Sequence, residues 1–319
     1  MSASKVTTPE EAVAGIPDGA TIALGGVHSH NGPMALVNAL IRRGVKDLEL
    51  IPTPSAGPPV DMLIAAGCVR RLHVSYVGLE FLGMAPNYRR AAESKSIEIV
   101  EADEAWIVYG FRAGASRLPF LPLPALYEGT DLPKVNDGIR TTTDPYTGNT
   151  VTTIPALRAD YGLFHAQVTD RKGNAQIFGQ RRFEDVMAKA SDHVVISSDE
   201  ILDEYAPAPD PRLVSIPGAI VESVAHAPYG SHPLSSPGHY GYDREQLVEY
   251  RDLAAQDRTK EYLEKYVYSV DDHLGYLDKL GARRLLGLVV MALQGPIPVT
   301  FPMVFPHGCY IVGEVEPVK

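Results

Sequence analysis

One stretch near the N-terminus, DGATIALGGVHSHNGPMALVNALIRRG at positions 18–44, constrains the fold more than any other part of this 319-residue chain. Its residues 20–24 form a short apolar run of β-branched and small side chains bounded by turn formers, which predicts a buried strand. Gly25 and Gly26 break that strand, and Asn31 with Gly32 supplies a turn. Pro33 then fits the first position of a helix, where the missing N–H has no intrahelical partner to lose. Met34, Val37, Leu40 and Ile41 recur at helical spacing. A strand that breaks on glycines into a helix N-terminus leaves backbone N–H groups free to receive an anion or a polarised carbonyl oxygen. An ordinary βα connection has the same pattern with no ligand, so the stretch locates a candidate site without assigning one.

The pattern repeats through the first half. Strands are expected at 47–53, 69–77 and 97–101, and helices at about 61–66, 87–93 and 103–117. Repeated βα units of this size build a parallel sheet covered by helices on both faces. LPFLPLPAL at 118–126 stops the last helix, because its prolines cannot continue one. The polar stretch 127–150 reads as a long loop or a hairpin on the sheet edge. Further strands are expected at 151–155, 161–168, 175–178, 193–198 and 219–226, with a short helix at 183–190. From 227 the character changes to a loop rich in proline, glycine and histidine, then helices at 244–255, 259–268 and 270–280. The last strand candidate is 286–291, before a proline-rich tail. Eight tyrosines (Tyr229, Tyr240, Tyr242, Tyr250, Tyr262, Tyr266, Tyr268 and Tyr276) crowd this part. They either form a docking surface or pack these helices onto their own domain. The chain is thus read as an α/β domain over 1–226 and a mostly helical C-terminal extension over 227–319, packed on the same domain.

Acidic residues outnumber basic ones 39 to 29, for a net charge of −10. No basic stretch stands out, so nucleic acid is not an expected partner. The N-terminus has no apolar signal core, and no apolar run is long enough to span a bilayer. The two cysteines, Cys68 and Cys309, fit a reducing cytoplasm and read as buried bystanders. No metal-ligand spacing occurs; the pairs His28/His30 and His226/His232 would bind a metal only with help from elsewhere. Gly25, Gly26 and Gly32 do not fit a dinucleotide fingerprint. What remains is a set of carboxylates after the fourth strand. Glu104, with Glu101 nearby, sits where a doubly wound sheet opens its ligand crevice, as a nucleophile or proton shuttle. Asp103 and Glu104 fit equally well as first-turn acids favoured by the helix dipole.

These residues resemble a known family. DGATIALGG with PMALVNALIRRGVKDLEL, LPFLP, HAQVTDRKGNAQIFG, APYGSHPLSSPGHYGYD and DDHLGYLDKLGARRL, in this order over nearly the whole chain, are similar to the A (alpha) subunit of glutaconate-type CoA-transferases. The resemblance implies a doubly wound, mainly parallel α/β sheet of the NagB/RpiA/CoA-transferase type with a C-terminal helical extension. It implies pairing with a related B (beta) subunit in a heterotetramer or larger. Coenzyme A would enter as the acyl-CoA substrate, with no metal, in cytoplasmic organic-acid degradation. The nucleophilic glutamate would belong to the B subunit. This chain would supply the facing wall, through the Gly25–Gly26 turn and the polar loop His28, Ser29, His30 and Asn31. Two features stand out. Where many relatives carry an arginine, this chain has Asn31, which offers no bidentate fork to a second carboxylate. Glu104 falls where relatives that open steroid-derived rings on CoA thioesters also have a glutamate. A C–C hydrolase or decarboxylase using Glu104 is therefore the alternative, and a non-catalytic subunit binding acyl-CoA or a small acid is a third.

Overall fold

In a computed structural model, which describes residues 4–179, 183–202 and 211–293, twelve strands and eleven α-helices follow one another. The strands are β1 (Val6–Thr7), β2 (Thr21–Leu24), β3 (Leu48–Pro52), β4 (Val69–Val74), β5 (Glu98–Glu101), β6 (Phe120–Leu123), β7 (Arg140–Thr143), β8 (Thr150–Pro155), β9 (Ala159–Asp170), β10 (Ala175–Gln176), β11 (Ser191–Leu202) and β12 (Val221–His226). The helices are α1 (Pro9–Val13), α2 (Met34–Arg43), α3 (Pro58–Ala65), α4 (Pro86–Ser94), α5 (Glu104–Ala115), α6 (Leu132–Val135), α7 (Glu184–Lys189), α8 (Arg244–Ala255), α9 (Thr259–Leu263), α10 (His273–Leu280) and α11 (Ala282–Leu293).

The main sheet has the order β1-β12-β11-β9-β2-β3-β4-β5, all parallel, with β10 added antiparallel to β9. From β2 the chain winds outward through β3, β4 and β5; from β9 it winds the other way through β11 and β12. The winding therefore reverses between β2 and β9, which pair through Ile22–Tyr161, Ala23–Gly162 and Leu24–Leu163. Alternation along the strands fills both faces. Ile22 and Leu24 join α2, α3 and the tyrosines of the C-terminal helices in one core, while Ala23, Ile51 and Phe164 pack beneath α5 and α7 in the other. Helix α2 buries eight of its ten residues, which its i, i+3, i+4 apolar pattern requires, and ends on Gly44 at φ +73°. Pro33 caps this helix and Met34 is its first residue, one position later than the sequence suggests.

Several expectations need correction. The proline-rich 118–126 stops α5 but also forms β6, an edge strand in which Pro122 is tolerated because one side of its backbone has no strand to bond. The 127–150 stretch, expected as a loop or hairpin on the sheet edge, does meet the edge strand β5, where Asn136 Nδ2 donates to Glu101 O at 2.8 Å, but it carries more regular structure than a loop. It forms α6 and β7, and β7 joins β8 and β6 in a separate antiparallel sheet of order β6-β8-β7. The apolar run 286–291 is not a strand but part of α11: Leu285 and Leu288 are buried while Leu286 is 61% exposed, a helical periodicity. The stretch expected as a helix over 259–268 divides into α9 and a π-helical turn, Glu264–Tyr268. Of the tyrosines, Tyr250, Tyr262 and Tyr276 are among the largest fully buried side chains and pack inward, while Tyr268 is exposed. Buried Asp61 receives Tyr250 Oη at 2.6 Å and Asn87 Nδ2 at 2.8 Å, which fastens α8 to α3 and α4. Burial also pushes the Cys68 thiol up to about 11, which keeps it protonated and inert. Cys309 and the proline-rich tail lie outside the described residues.

Candidate functional site

In an open α/β sheet, ligands bind beyond the carboxyl ends of the strands where the strand order reverses. Here that point is the end of β2, and the Gly25–Gly26 turn occupies it. The two glycines differ. Gly25 N–H donates to Leu163 O at 2.9 Å and is spent closing the sheet. Gly26 sits at φ +94°, and a Cβ on it would lie 2.6 Å from Gly32 Cα, so only glycine fits. The Gly26 N–H has no acceptor among the described residues, while its carbonyl receives Thr53 Oγ1. Beside it is a space of about 10 Å³ bounded by Gly25, Gly26, His28, Gly32, Thr53 and Gly57, near the lower limit for one water-sized group.

The turns after β2, β3, β4 and β5 meet at this place. His28, in the left-handed region at φ +48°, donates its N–H to Ser55 O at 3.0 Å. Its ring meets the Tyr76 ring edge to face, with centroids 5.4 Å apart, and its Nδ1 is buried without a partner among the described residues. Ser55 Oγ donates to Glu104 Oε1 at 3.3 Å, so the turn after β3 links the loop after β2 to the helix after β5. Glu104 is exposed at the first residue of α5. The helix-capping role falls to Asp103, which accepts from Trp106 N at 2.8 Å and from Tyr127 Oη at 2.7 Å. Glu101, exposed at the end of β5, makes no side-chain hydrogen bond among the described residues.

The four loop residues 28–31 have different fates. Ser29 is 1% exposed with its hydroxyl unpartnered among the described residues. His30 Nδ1 meets Ser235 Oγ at 2.5 Å and Nε2 lies 3.9 Å from Glu80 Oε1; burial lowers its pKa, with Glu80 opposing. Asn31 is 1% exposed and turned inward: its Nδ2 donates to Phe178 O at 2.9 Å and its Oδ1 accepts from Gln167 Nε2 at 2.7 Å. From Gln167 the chain continues to Ser236 Oγ at 2.9 Å, and Ser236 donates to Asp199 Oδ2 at 2.5 Å. Asp199 also meets His165 Nε2 at 3.1 Å, Gly230 N at 3.1 Å and Tyr240 Oη at 3.2 Å. Burial pushes the Asp199 carboxyl up, but His165 and Ser236 outweigh it and hold the group below the usual carboxylate range.

The fold thus brings Gly26 and His28 to one crevice, links Glu104 to the same loop through Ser55, buries Ser29, and ties Asn31 inward to Gln167 and Phe178. Sequence reasoning passed over Ser55 and Tyr76. Their only signal is position, two or three residues beyond the ends of β3 and β4. His226 is exposed at the end of β12, whereas His232 is buried against Tyr276 and Asp243. Among the described residues no group of three or more His, Cys, Asp or Glu could hold a metal ion.

Comparison with known proteins agrees with this architecture. The family model described as Coenzyme A transferase matches residues 6–227. The A (alpha) subunit of the 3-oxoadipate CoA-transferase of Pseudomonas knackmussii is 35% identical over 83% of this chain and 94% of its own length. The corresponding subunit of the glutaconate CoA-transferase of Acidaminococcus fermentans is 31% identical over 90% of this chain and 95% of its own. The crystal structure of that transferase superposes with a TM-score of 0.84 at 30% identity, covering 89% of this chain and 95% of that one. A cholesterol ring-cleaving hydrolase IpdA subunit from Mycobacterium tuberculosis is 30% identical over 88% of this chain and 99% of its own. An uncharacterized Archaeoglobus fulgidus protein is 35% identical, and the chain spans 64% of its length. The chain is a member of the coenzyme A transferase family.

Proposed function

We propose that this chain is the A (alpha) subunit of a heteromeric acyl-CoA:carboxylate CoA-transferase, working in the cytoplasm with a related B subunit in a heterotetramer or larger. Coenzyme A enters as the substrate thioester. The observation that carries the reading is the Gly26 N–H, without an acceptor among the described residues at the reversal point of the sheet and beside a space of about 10 Å³. That space suits one oxygen atom. A thioester carbonyl oxygen seated there gains negative charge when a nucleophile attacks its carbon, and a fixed N–H donor stabilises that charge without reorganising. His28 and Ser29 offer a ring nitrogen and a hydroxyl to the acid. The attacking carboxylate comes from the B subunit, consistent with a crevice whose own glutamate, Glu104, stands exposed at the rim.

On this reading the chain alone transfers no CoA between acetyl-CoA and propionate, and activity appears with the B subunit. Hydroxylamine or borohydride trapping during turnover then modifies a glutamate on the partner; a modified glutamate on this chain overturns the assignment. The competing reading, C–C cleavage of a CoA thioester with Glu104 as general base, draws on the Ser55–Glu104 contact. It requires Glu104→Gln to lose on the order of a hundredfold or more in rate, the usual scale for a general base. The transferase reading expects a change of less than about tenfold, within what a rim carboxylate contributes by orientation alone.

A further inference from the structure

We infer that Tyr76 and Met84 form an acyl subsite at the rim of the crevice, so that the chain selects CoA thioesters whose acyl group continues from the carbonyl as an uncharged hydrocarbon stretch. This rests on reading the crevice as an acyl-CoA site. Tyr76 follows β4, and its ring stands edge-on to His28, which itself bounds the space beside Gly26. Its hydroxyl end packs against Gly78: a Cβ there would lie 2.0 Å from Tyr76 Oη. Gly78 in turn pairs antiparallel with Met84, and Leu79 N–H donates to Gly83 O at 2.7 Å, closing a small lobe over 78–84. Tyr76, through its ring, and Met84, through its backbone, therefore both neighbour the same glycine.

The lobe is firmly seated. Val77, Leu79 and Ala85 are buried in the main core, Phe81 packs on Tyr242 with ring centroids 5.1 Å apart, and Glu80 reaches back toward His30. Against this setting Tyr76 at 40% and Met84 at 61% exposure are conspicuous. A pinned lobe that leaves two large apolar side chains in water beside a candidate thioester site gains by covering them with hydrocarbon. Thioether sulfur and an aromatic ring also adapt to acyl groups of different shape. Glu80 on the same lobe sets a carboxylate at the rim, so a tail ending in a second carboxylate meets like charge.

The test uses the assembled complex with its B subunit. Isothermal titration with the non-transferable thioethers S-ethyl-CoA and S-butyl-CoA measures acyl preference without turnover, and kcat/KM for acetyl-CoA and butyryl-CoA with propionate measures it with turnover. Each buried methylene is worth roughly a factor of three to four, so the butyl compound is expected to win by about tenfold. Tyr76→Ala and Met84→Ala each shrink that ratio toward one. Gly78→Ala, which touches no ligand, shrinks it by displacing the Tyr76 ring and adds nothing in the Tyr76→Ala background. An unchanged butyl-to-ethyl ratio in Tyr76→Ala overturns the subsite. So does a loss of B-subunit affinity with the ratio intact, which makes the patch an inter-subunit contact. A wild-type complex that binds the thioethers with this preference but transfers nothing overturns the transferase reading and leaves the subsite standing.

Discussion

Behind the crevice, on the β9 and β11 side, Asn31, Gln167, Ser236, Asp199 and His165 form an unbroken chain of buried hydrogen bonds. In front, on the β2 side, the Gly26 N–H, His28 Nδ1 and Ser29 Oγ are buried and have no partner among the described residues. The two walls share a residue vocabulary and meet within a few residues of sequence. Unpaired buried polar groups cost about 1–3 kcal/mol each, so each is a place where a ligand or an ordered water gains by binding. The bonded wall is satisfied within the chain, and the unpaired one is where the reading proposed above seats substrate.

The largest effect should come from breaking the bonded wall at its centre. Asp199 meets four different groups, and Asp199→Ala leaves His165, Ser236, Tyr240 and the Gly230 N–H unanswered inside the protein. Stranding buried donors costs about 1–3 kcal/mol each, so a loss of about 3 kcal/mol or more is expected, which urea unfolding will read as a lower midpoint with a similar slope. A loss below about 1 kcal/mol, the worth of an exposed ion pair, would mean that this wall is not scaffold.

A second test uses pH. His232 is enclosed by Tyr276, Asp243 and Arg284, and His273 is buried with Nε2 donating to Pro228 O at 2.7 Å. Burial is the leading cause that lowers both pKa values below 6.5. In the unfolded chain each takes up a proton near pH 6.5; in the folded chain each resists until a lower pH. Stability is thus complete above about 6.5 and declines as pH falls from there toward the folded values, by at most about 1.4 kcal/mol per pH unit for each histidine. Urea midpoints at pH 7.5 and 5.5 should show the decline, and His273→Gln, which keeps a donor for Pro228 O, should remove its share. Equal midpoints at the two pH values would show that these histidines take up protons in the folded protein as readily as in the unfolded chain.

Much of this architecture is legible in the sequence, because β2, its glycine turn and α2 agree at every level: apolar run, breaker, cap and helical period. The failures have physical causes. The 286–291 run is apolar and β-branched, and over six residues a buried strand and a helix face look alike; only the alternation of buried Leu285 and Leu288 with exposed Leu286 separates them. Phe120–Leu123 is hidden because prolines argue against strands in general, though not against an edge. At the site, the loop 28–31 and Glu104 can be located from sequence but not sorted. Whether Asn31 faces substrate or scaffold depends on Gln167, more than a hundred residues away, and Ser55 and Tyr76 acquire meaning only when four strand ends are brought together.

The smallest effect, and the sharpest comparison, lies between neighbours in that loop. Asn31→Ala strands Gln167 Nε2 and Phe178 O and also places alanine at φ +55°, where asparagine is better tolerated. It should cost about 1–3 kcal/mol of stability while leaving the acyl preference alone. Ser29→Ala removes a buried hydroxyl that has no partner among the described residues, so stability should hold or rise, by up to about 1–3 kcal/mol. If that hydroxyl waits for substrate, the loss appears instead in KM for the acid, by roughly twofold to tenfold, the worth of one hydrogen bond. Parallel urea curves and acid-dependent kinetics on the two variants decide the matter. Should Ser29→Ala destabilise the fold as much as Asn31→Ala, the hydroxyl is already bonded, to water or to the partner, and the front wall is as closed as the back.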